Sequence, residues 1–343
     1  MAVPNSSTRI EKITGQLLLA HERTHTPFIS CVLPAYNESG NLVSLIPLLS
    51  KQLEALSSDY EIVIIDDGSK DETGAVAVQL AANHPIRLVQ LARNFGKESA
   101  LTAGIDHAGG DILILMDADF QHPIETIPLF FEYWQRGYDM VYGIRADRHD
   151  ESAIKRNLTS WFYSFMTRAS NTVPIEPNAG DFRLLDRSVV EALQRLPERT
   201  RFMKGLYSWV GFKTIGITYH VESRKEGQSG FNFWRLLELA ITGITSFTSL
   251  PLRFCSGAGA VVSLLSILYG CYITLRTLIY GVELPGWATL VAGMSFLSGI
   301  QLLAIGILGE YIAKIFIEVK QRPTYVVGRY YNYEDQNQGL KRP

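Results

Sequence analysis

The sequence predicts an α/β domain built on a parallel sheet, followed by an amphipathic helix and two membrane-spanning helices. Three observations predict it. Four short apolar, β-rich runs alternate with helix-compatible stretches across residues 28–117. Each run ends in a polar cluster. Further along, Cys255–Leu275 and Leu284–Gly309 contain no charged side chain, and each is as long as the roughly 20 residues a helix needs to cross a hydrocarbon core.

The four strands are 28–33 (FISCVL), 60–66 (YEIVIID), 86–91 (IRLVQL) and 111–117 (DILILMD), with helices expected over 39–56, 70–83 and 96–108. This alternation is the pattern of parallel strands joined by crossover helices, and such sheets bind ligands at the carboxyl ends of their strands. Those ends read Pro34-Ala35-Tyr36-Asn37-Glu38, Asp66-Asp67-Gly68-Ser69, Arg93-Asn94-Phe95-Gly96-Lys97 and Asp117-Ala118-Asp119. A capped helix start accounts for any one of them, with Ser69 or Asp71 capping the second helix and Asn94 the third. It does not account for acids at two ends and Arg with Lys at another, a combination that suits a ligand carrying both phosphate and metal. Neither GxGxxG after the first strand nor GxxxxGK[ST] is present, so a dinucleotide fingerprint or P-loop is unsupported.

Composition bounds the remaining possibilities. The 343 residues carry a formal net charge of -2 and are 47% hydrophobic, so no basic field points to nucleic acid. Cys31, Cys255 and Cys271 fit neither a zinc site nor a disulfide framework. None of the seven histidines has ligand spacing; His107 and His220 read as local packing or capping. Residues 1–26 read as a loose polar tail without a cleavable signal peptide.

The two uncharged stretches form a hairpin with Gly281 and Pro285 as turn residues. The competing reading is a buried helical pair in a soluble protein. Arg235 and Arg253 precede the first span, and Lys314, Lys320, Arg322 and Arg329 follow the second. Positive flanks favour the cytoplasmic side, which puts both ends and the N-terminal domain in the cytosol. Before the first span, Phe231, Trp234, Leu237, Ile241 and Ile244 recur at helical spacing, giving an amphipathic helix suited to the membrane interface.

Asp117 and Asp119 carry the chemistry. In an extended chain residues i and i+2 point the same way, so both carboxylates reach one point. Like charges that close need a cation between them, and hard oxygen donors suit Mg²⁺ or Mn²⁺ bridging to a substrate diphosphate. Gln121 shares their parity. His122 has the opposite parity and is expected to point away.

The motifs PAYNE (34–38), IDDGSKD (65–71), RNFGKESAL (93–101), DADFQHP (117–123), GDFRLLDR (180–187), RFMKG (201–205) and GILGEYIAKIFIEVKQRP (306–323) resemble those of the family-2 glycosyltransferases of the GT-A type. Within these they resemble the polyisoprenyl-phosphate glycosyltransferases, related to the dolichol-phosphate mannose synthases. They are most similar to the bactoprenol (undecaprenyl-phosphate) glucosyltransferases of O-antigen modification. The resemblance covers about residues 28–327; the QxxRW motif of processive synthases is absent.

The resemblance implies a GT-A (Rossmann-like) nucleotide-sugar domain and an inverting, metal-dependent hexosyltransferase. It would move glucose from UDP-glucose to undecaprenyl phosphate at the cytosolic face of a bacterial inner membrane. It implies that Pro34, Tyr36, Glu38 and Asp66 line the nucleoside pocket, that Arg93 and Lys97 lie near the diphosphate, and that Asp117, Asp119 and Gln121 hold Mg²⁺ or Mn²⁺. Asp119, Asp181 and Arg183 would serve at the reaction centre, and Arg145, Arg156, Arg224 and Ser229 would meet the acceptor phosphate. Relatives carry Lys after that Ser; here Gly230 follows, with Lys225 nearby. Partners would be the nucleotide sugar, the lipid acceptor, the bilayer and other copies of the chain, as tetramers.

A phosphate monoester is anionic at neutral pH, so such an acceptor needs cationic clamps rather than a strong base. The stretch 143–156 offers Arg145, Arg148, Lys155 and Arg156, Arg being the better fork for phosphate; the other reading of it is a solvated face shared with Asp147, Asp150 and Glu151. The organisation expected is a tail (1–26), a cytosolic GT-A domain (27–230), a juxtamembrane helix (231–250), spans at 251–281 and 284–309, and a cytosolic C-terminal segment (310–343). Two other readings stand beside it: the same reaction with N-acetylglucosamine, galactose, mannose or amino-arabinose, and a non-catalytic membrane sensor that binds nucleotide.

Overall fold

The computed structural model describes residues 23–145, 179–219, 250–280 and 286–333. The amphipathic segment 231–247 and the acceptor residues Arg156, Arg224 and Ser229 lie outside them.

The first half follows the expected alternation. Strands β1 (Ile29–Ala35), β2 (Tyr60–Asp66), β3 (Ile86–Leu91) and β4 (Ile112–Leu115) are parallel. Helices α1 (Ser39–Glu54), α2 (Thr73–Leu80) and α3 (Lys97–His107) connect them. The strands are apolar on both faces because the sheet is covered on both sides; Cys31, Val32, Leu33, Ile64 and Ile114 are fully buried. Helix α4 (Ile127–Gln135) buries Ile127, Phe130, Phe131 and Trp134, the i, i+3, i+4, i+7 stripe of a helix packed on a core.

The sheet extends beyond the four expected strands. β5 (Met140–Arg145), β6 (Ala179–Asp186), β7 (Thr214–Tyr219) and β8 (Val327–Asn332) join it, in the order β7-β5-β6-β4-β1-β2-β3-β8. β6 runs antiparallel to both β4 and β5. Helices α5 (Arg187–Gln194) and α6 (Met203–Trp209) follow β6. Within the expected C-terminal segment, β8 pairs antiparallel with β3 at the sheet edge. Tyr325 anchors the approach to β8, donating its hydroxyl to Asp106 at 3.0 Å, and His107 packs near Tyr325 and Tyr330.

A second unit holds α7 (Leu250–Tyr280) and α8 (Trp287–Lys320). Both are long and apolar enough to cross a membrane, over Phe254–Tyr280 and Phe296–Lys320. Their apolar side chains are exposed, Phe254, Leu278 and Leu302 among them, so they are not the buried core pair of a soluble fold. α8 runs past the expected end at residue 309 to Lys320. Its last turns bring in Glu310, Lys314, Glu318 and Lys320, charges that belong outside a hydrocarbon core.

Candidate active site

The loops after β1 to β4 meet at one end of the sheet and are braced to one another, largely through side chains that accept backbone N–H groups. Asn37, in the left-handed region at φ 57°, accepts from the Lys70 amide, while its own amide donates to Ser69 Oγ. Glu38 N–H donates to Thr73 Oγ1, and Ser39 N–H to Asp71. Ser69 therefore ties the first loop to the second rather than capping α2. Asn94 does not cap α3 either; Gly96 holds that place, without a side-chain bond.

Asp66 and Asp67 divide the work. Asp66 is fully buried, accepting from the Ser69 amide and from Gln90 Nε2 on β3. Asp67 accepts the Phe95 and Gly96 amides at 2.7 and 2.9 Å, fixing the third loop. Burial raises the Asp67 carboxyl above its ordinary value against these amides. Gly68 makes the junction possible. Its φ is 67°, and a Cβ there would lie 2.4 Å from the carbonyl carbon of Arg93.

These loops enclose a crevice of about 620 Å³, lined by backbone and side chains from Pro34 to Arg145. Of the residues expected to bind the nucleotide sugar, Pro34, Tyr36, Glu38, Lys97 and Asp117 line it. Asp66 and Arg93 do not. Asp66 is consumed beneath the loops, and the Arg93 guanidinium stacks on the Phe95 ring at 4.0 Å. Asp67, Asn94 and Gly96 take their place on the wall; for Asp67 the available signal was its position one residue past the strand end.

Asp117, Asp119 and Gln121 all face the crevice, although not through an extended chain. β4 ends at Leu115, Asp119 Oδ1 accepts the Gln121 amide at 3.1 Å, and Phe120 has φ 60°. That left-handed residue overturns the parity expected for His122. Instead of pointing away, the ring is buried beneath the loop, with Nε2 3.5 Å from Asp117 Oδ2. Burial lowers its pKa to about 4, which leaves it neutral.

Lys97 joins the two sides of the site. Its Nζ lies 2.7 Å from Asp117 Oδ1 and 2.9 Å from Asp181 Oδ2. Burial opposes its charge, but the two carboxylates outweigh that and hold the ammonium above the ordinary lysine range. Asp181 is buried too, which by itself would raise it; Lys97 and Lys204 bring it below its usual value.

Arg183 does not reach the crevice wall. It is 4% exposed, donates to the Gly180 carbonyl and lies over the Tyr142 and Tyr207 rings at 5.1 and 4.3 Å. Its charge helps to lower the Asp181 carboxyl. Two neighbours escaped the sequence reading. Lys204 on α6 shares the field of Asp181. Glu98 accepts the Met203 amide at 2.9 Å, and burial with the charge of Asp181 raises it to about 7. On the other side, Arg145 donates to Gln121 Oε1 at 3.2 Å.

The donor set fits a hard divalent cation. Two carboxylates and a carboxamide oxygen share one wall, and a carboxamide oxygen has a second lone pair to offer beyond the Arg145 bond. The field is negative there. Glu38 is raised first by burial, then, against the Asn41 bond, by the charges of Asp119, Asp117 and Asp71. The Lys97 ammonium on Asp117 shows that a positive group is stabilised at this wall.

The family model described as Glycosyl transferase family 2 matches residues 30–194, and that of the GtrB C-terminal hairpin matches 250–315. The uncharacterized glycosyltransferase sll0501 of Synechocystis is 43% identical over 307 residues, 89% of this chain and 96% of that one. A prophage bactoprenol glucosyl transferase homolog of Escherichia coli is 44% identical over 302 residues, 88% of this chain and 98% of that one. Among solved structures, the Pyrobaculum calidifontis mannosyltransferase PcManGT, in complex with GDP-Man and Mn²⁺, is 16% identical. It covers 91% of this chain and 94% of its own, at a TM-score of 0.46.

Proposed function

The chain belongs to the family-2 glycosyltransferases of the bactoprenol glucosyl transferase type, and from that premise we propose that it transfers glucose from UDP-glucose to undecaprenyl phosphate with inversion. The reaction takes place at the cytosolic face of the membrane that its two helices cross. One observation carries the reading: Asp117, Asp119 and Gln121 share a crevice wall with Lys97 and Arg145, an acidic and a basic set arranged around one cavity.

The chemistry follows from the charges. An oxygen of the acceptor phosphate forms a bond to the anomeric carbon as the bond from that carbon to the nucleoside diphosphate breaks. The acceptor is already anionic, so no side chain has to remove a proton. The protein's task is to hold two anions in line, which is worth several kcal/mol of barrier. Arg145 fits the acceptor side, with a fork that binds phosphate oxygens. Asp67 holds the Phe95 and Gly96 amides that shape the floor. Lys97 and Asp181 set the geometry at the sugar. Asp117, Asp119 and Gln121 would hold Mg²⁺ or Mn²⁺, which neutralises charge on the departing diphosphate.

The test is transfer of label from radiolabelled UDP-glucose into the organic phase of membranes. Asp119→Ala is expected to lower it by about 10³-fold while the protein still inserts. Unchanged transfer in that variant would sink the metal assignment. A panel of nucleotide sugars tests the glucose assignment separately, since similar pockets serve several sugars.

A further inference from the structure

His122 is a polar ring at a position where packing alone asks for an apolar one. It is 2% exposed, and among the described residues neither Nδ1 nor Nε2 has a hydrogen-bond partner. The ring meets Phe182 edge-on, 4.8 Å between centroids at 87°, and lies 6.1 Å from the Tyr219 ring. A phenyl ring would fill that space without burying two unpaired nitrogens, and unpaired buried polar groups call for an explanation.

The oxygen that Nε2 approaches is Oδ2 of Asp117, at 3.5 Å, just beyond an ordinary N–H···O bond. The aromatic neighbours hold the ring in place. The carboxylate stands at the crevice edge, 21% exposed, with the Lys97 ammonium against both of its oxygens. We propose that His122 is a positioning residue for Asp117: its Nε2–H donates to Oδ2 from beneath, beside the Lys97 ammonium that contacts both oxygens, and keeps the carboxylate turned toward the crevice. Carboxylates that bind metals are commonly fixed by such a second partner. The left-handed turn at Phe120 brings His122 beneath a residue five positions earlier.

The inference rests on the metal reading above. Full-length protein in detergent is titrated with Mn²⁺, with free ion followed by electron paramagnetic resonance, for wild type, His122→Phe, His122→Gln and Asp119→Ala. His122→Phe is expected to weaken Mn²⁺ about tenfold, and His122→Gln, which retains an N–H donor, to stay within about threefold of wild type. The melting temperature of metal-free His122→Phe should equal or exceed that of wild type, because no polar ring nitrogen is left to bury. Wild-type Mn²⁺ affinity in His122→Phe would overturn the proposal, as would equal losses in the Phe and Gln variants. Asp119→Ala separates the two claims. If it binds Mn²⁺ as wild type does, the metal reading fails and the role of His122 with it. If it loses the ion while His122→Phe does not, only the role of His122 fails.

Discussion

The two sides of β4 handle charge in opposite ways. In the loops after β1 and β2, acids that line or underlie the crevice are held by neutral donors: Asp66 by the Ser69 amide and Gln90, Asp67 by the Phe95 and Gly96 amides, Glu38 by Asn41. On the side of β6 and α6, acids meet bases directly, with Lys97 on Asp181, and Arg183 and Lys204 in the same field. Neutral donors fix a carboxylate without cancelling its charge, so the first side keeps a negative field toward the crevice. The second side neutralises itself and serves geometry. Asp117 belongs to both, facing the crevice while held by Lys97.

Removing the group at that boundary is the largest test. Lys97→Met leaves Asp117 and Asp181 without their shared ammonium. Transfer activity should fall by about 10²–10³-fold, the range for losing one preorganised charged contact at a reacting centre. The lysine side chain as a whole is half-exposed, so the melting temperature should move little. A variant within about tenfold of wild type would mean that the two sides are not coupled through Lys97.

Gly68 tests the first side alone. Alanine there must adopt φ 67° and place its Cβ 2.4 Å from the Arg93 carbonyl carbon, for a loss of ~2–4 kcal/mol in thermal unfolding. Asparagine tolerates the left-handed region but carries the same Cβ. Gly68→Asn should therefore be as damaging as Gly68→Ala. A benign Asn variant would show that backbone strain, rather than the contact with the third loop, sets the requirement.

The first side was also the legible one. Its strands are apolar runs closed by turn residues, and DADFQHP and IDDGSKD mark the loops that bear ligands. β5, β6 and β7 were not foreseen, for physical reasons. β6 carries Asp181 and Arg183 inside a strand, tolerated only because Lys97 and two aromatic rings receive them. β7 is half-exposed, so its residues form no continuous apolar run. β8 pairs with β3 across more than two hundred positions of sequence, a distance that periodicity does not register. Asp117, Asp119 and Gln121 do share one wall, but not by strand parity: β4 ends at Leu115, and Phe120, a non-glycine residue at positive φ, breaks the count and turns His122 inward. The choice of Asp67 over Asp66 turned on which carboxylate the fold itself consumes.

The smallest effect belongs to Glu98, and it probes the self-neutralised side through pH. Burial and the charge of Asp181 raise its carboxyl to about 7, against an unfolded value of about 4.3. The folded state therefore favours the protonated form. The stability this contributes is fully present below about pH 4.3 and is lost as pH rises through 7. Glu98→Gln keeps an acceptor for the Met203 amide and never ionises, so it should gain on wild type across that window. The gap should level off above pH 7 at ~1–3 kcal/mol in favour of the variant. Thermal unfolding of both proteins from pH 4.5 to 8 measures it. Parallel curves would mean that Lys97 and Lys204 already balance an ionised Glu98, and that this side of the site carries one more fixed negative charge at neutral pH. A widening gap would locate in Glu98 the proton that lets Asp181 stay ionised beside it.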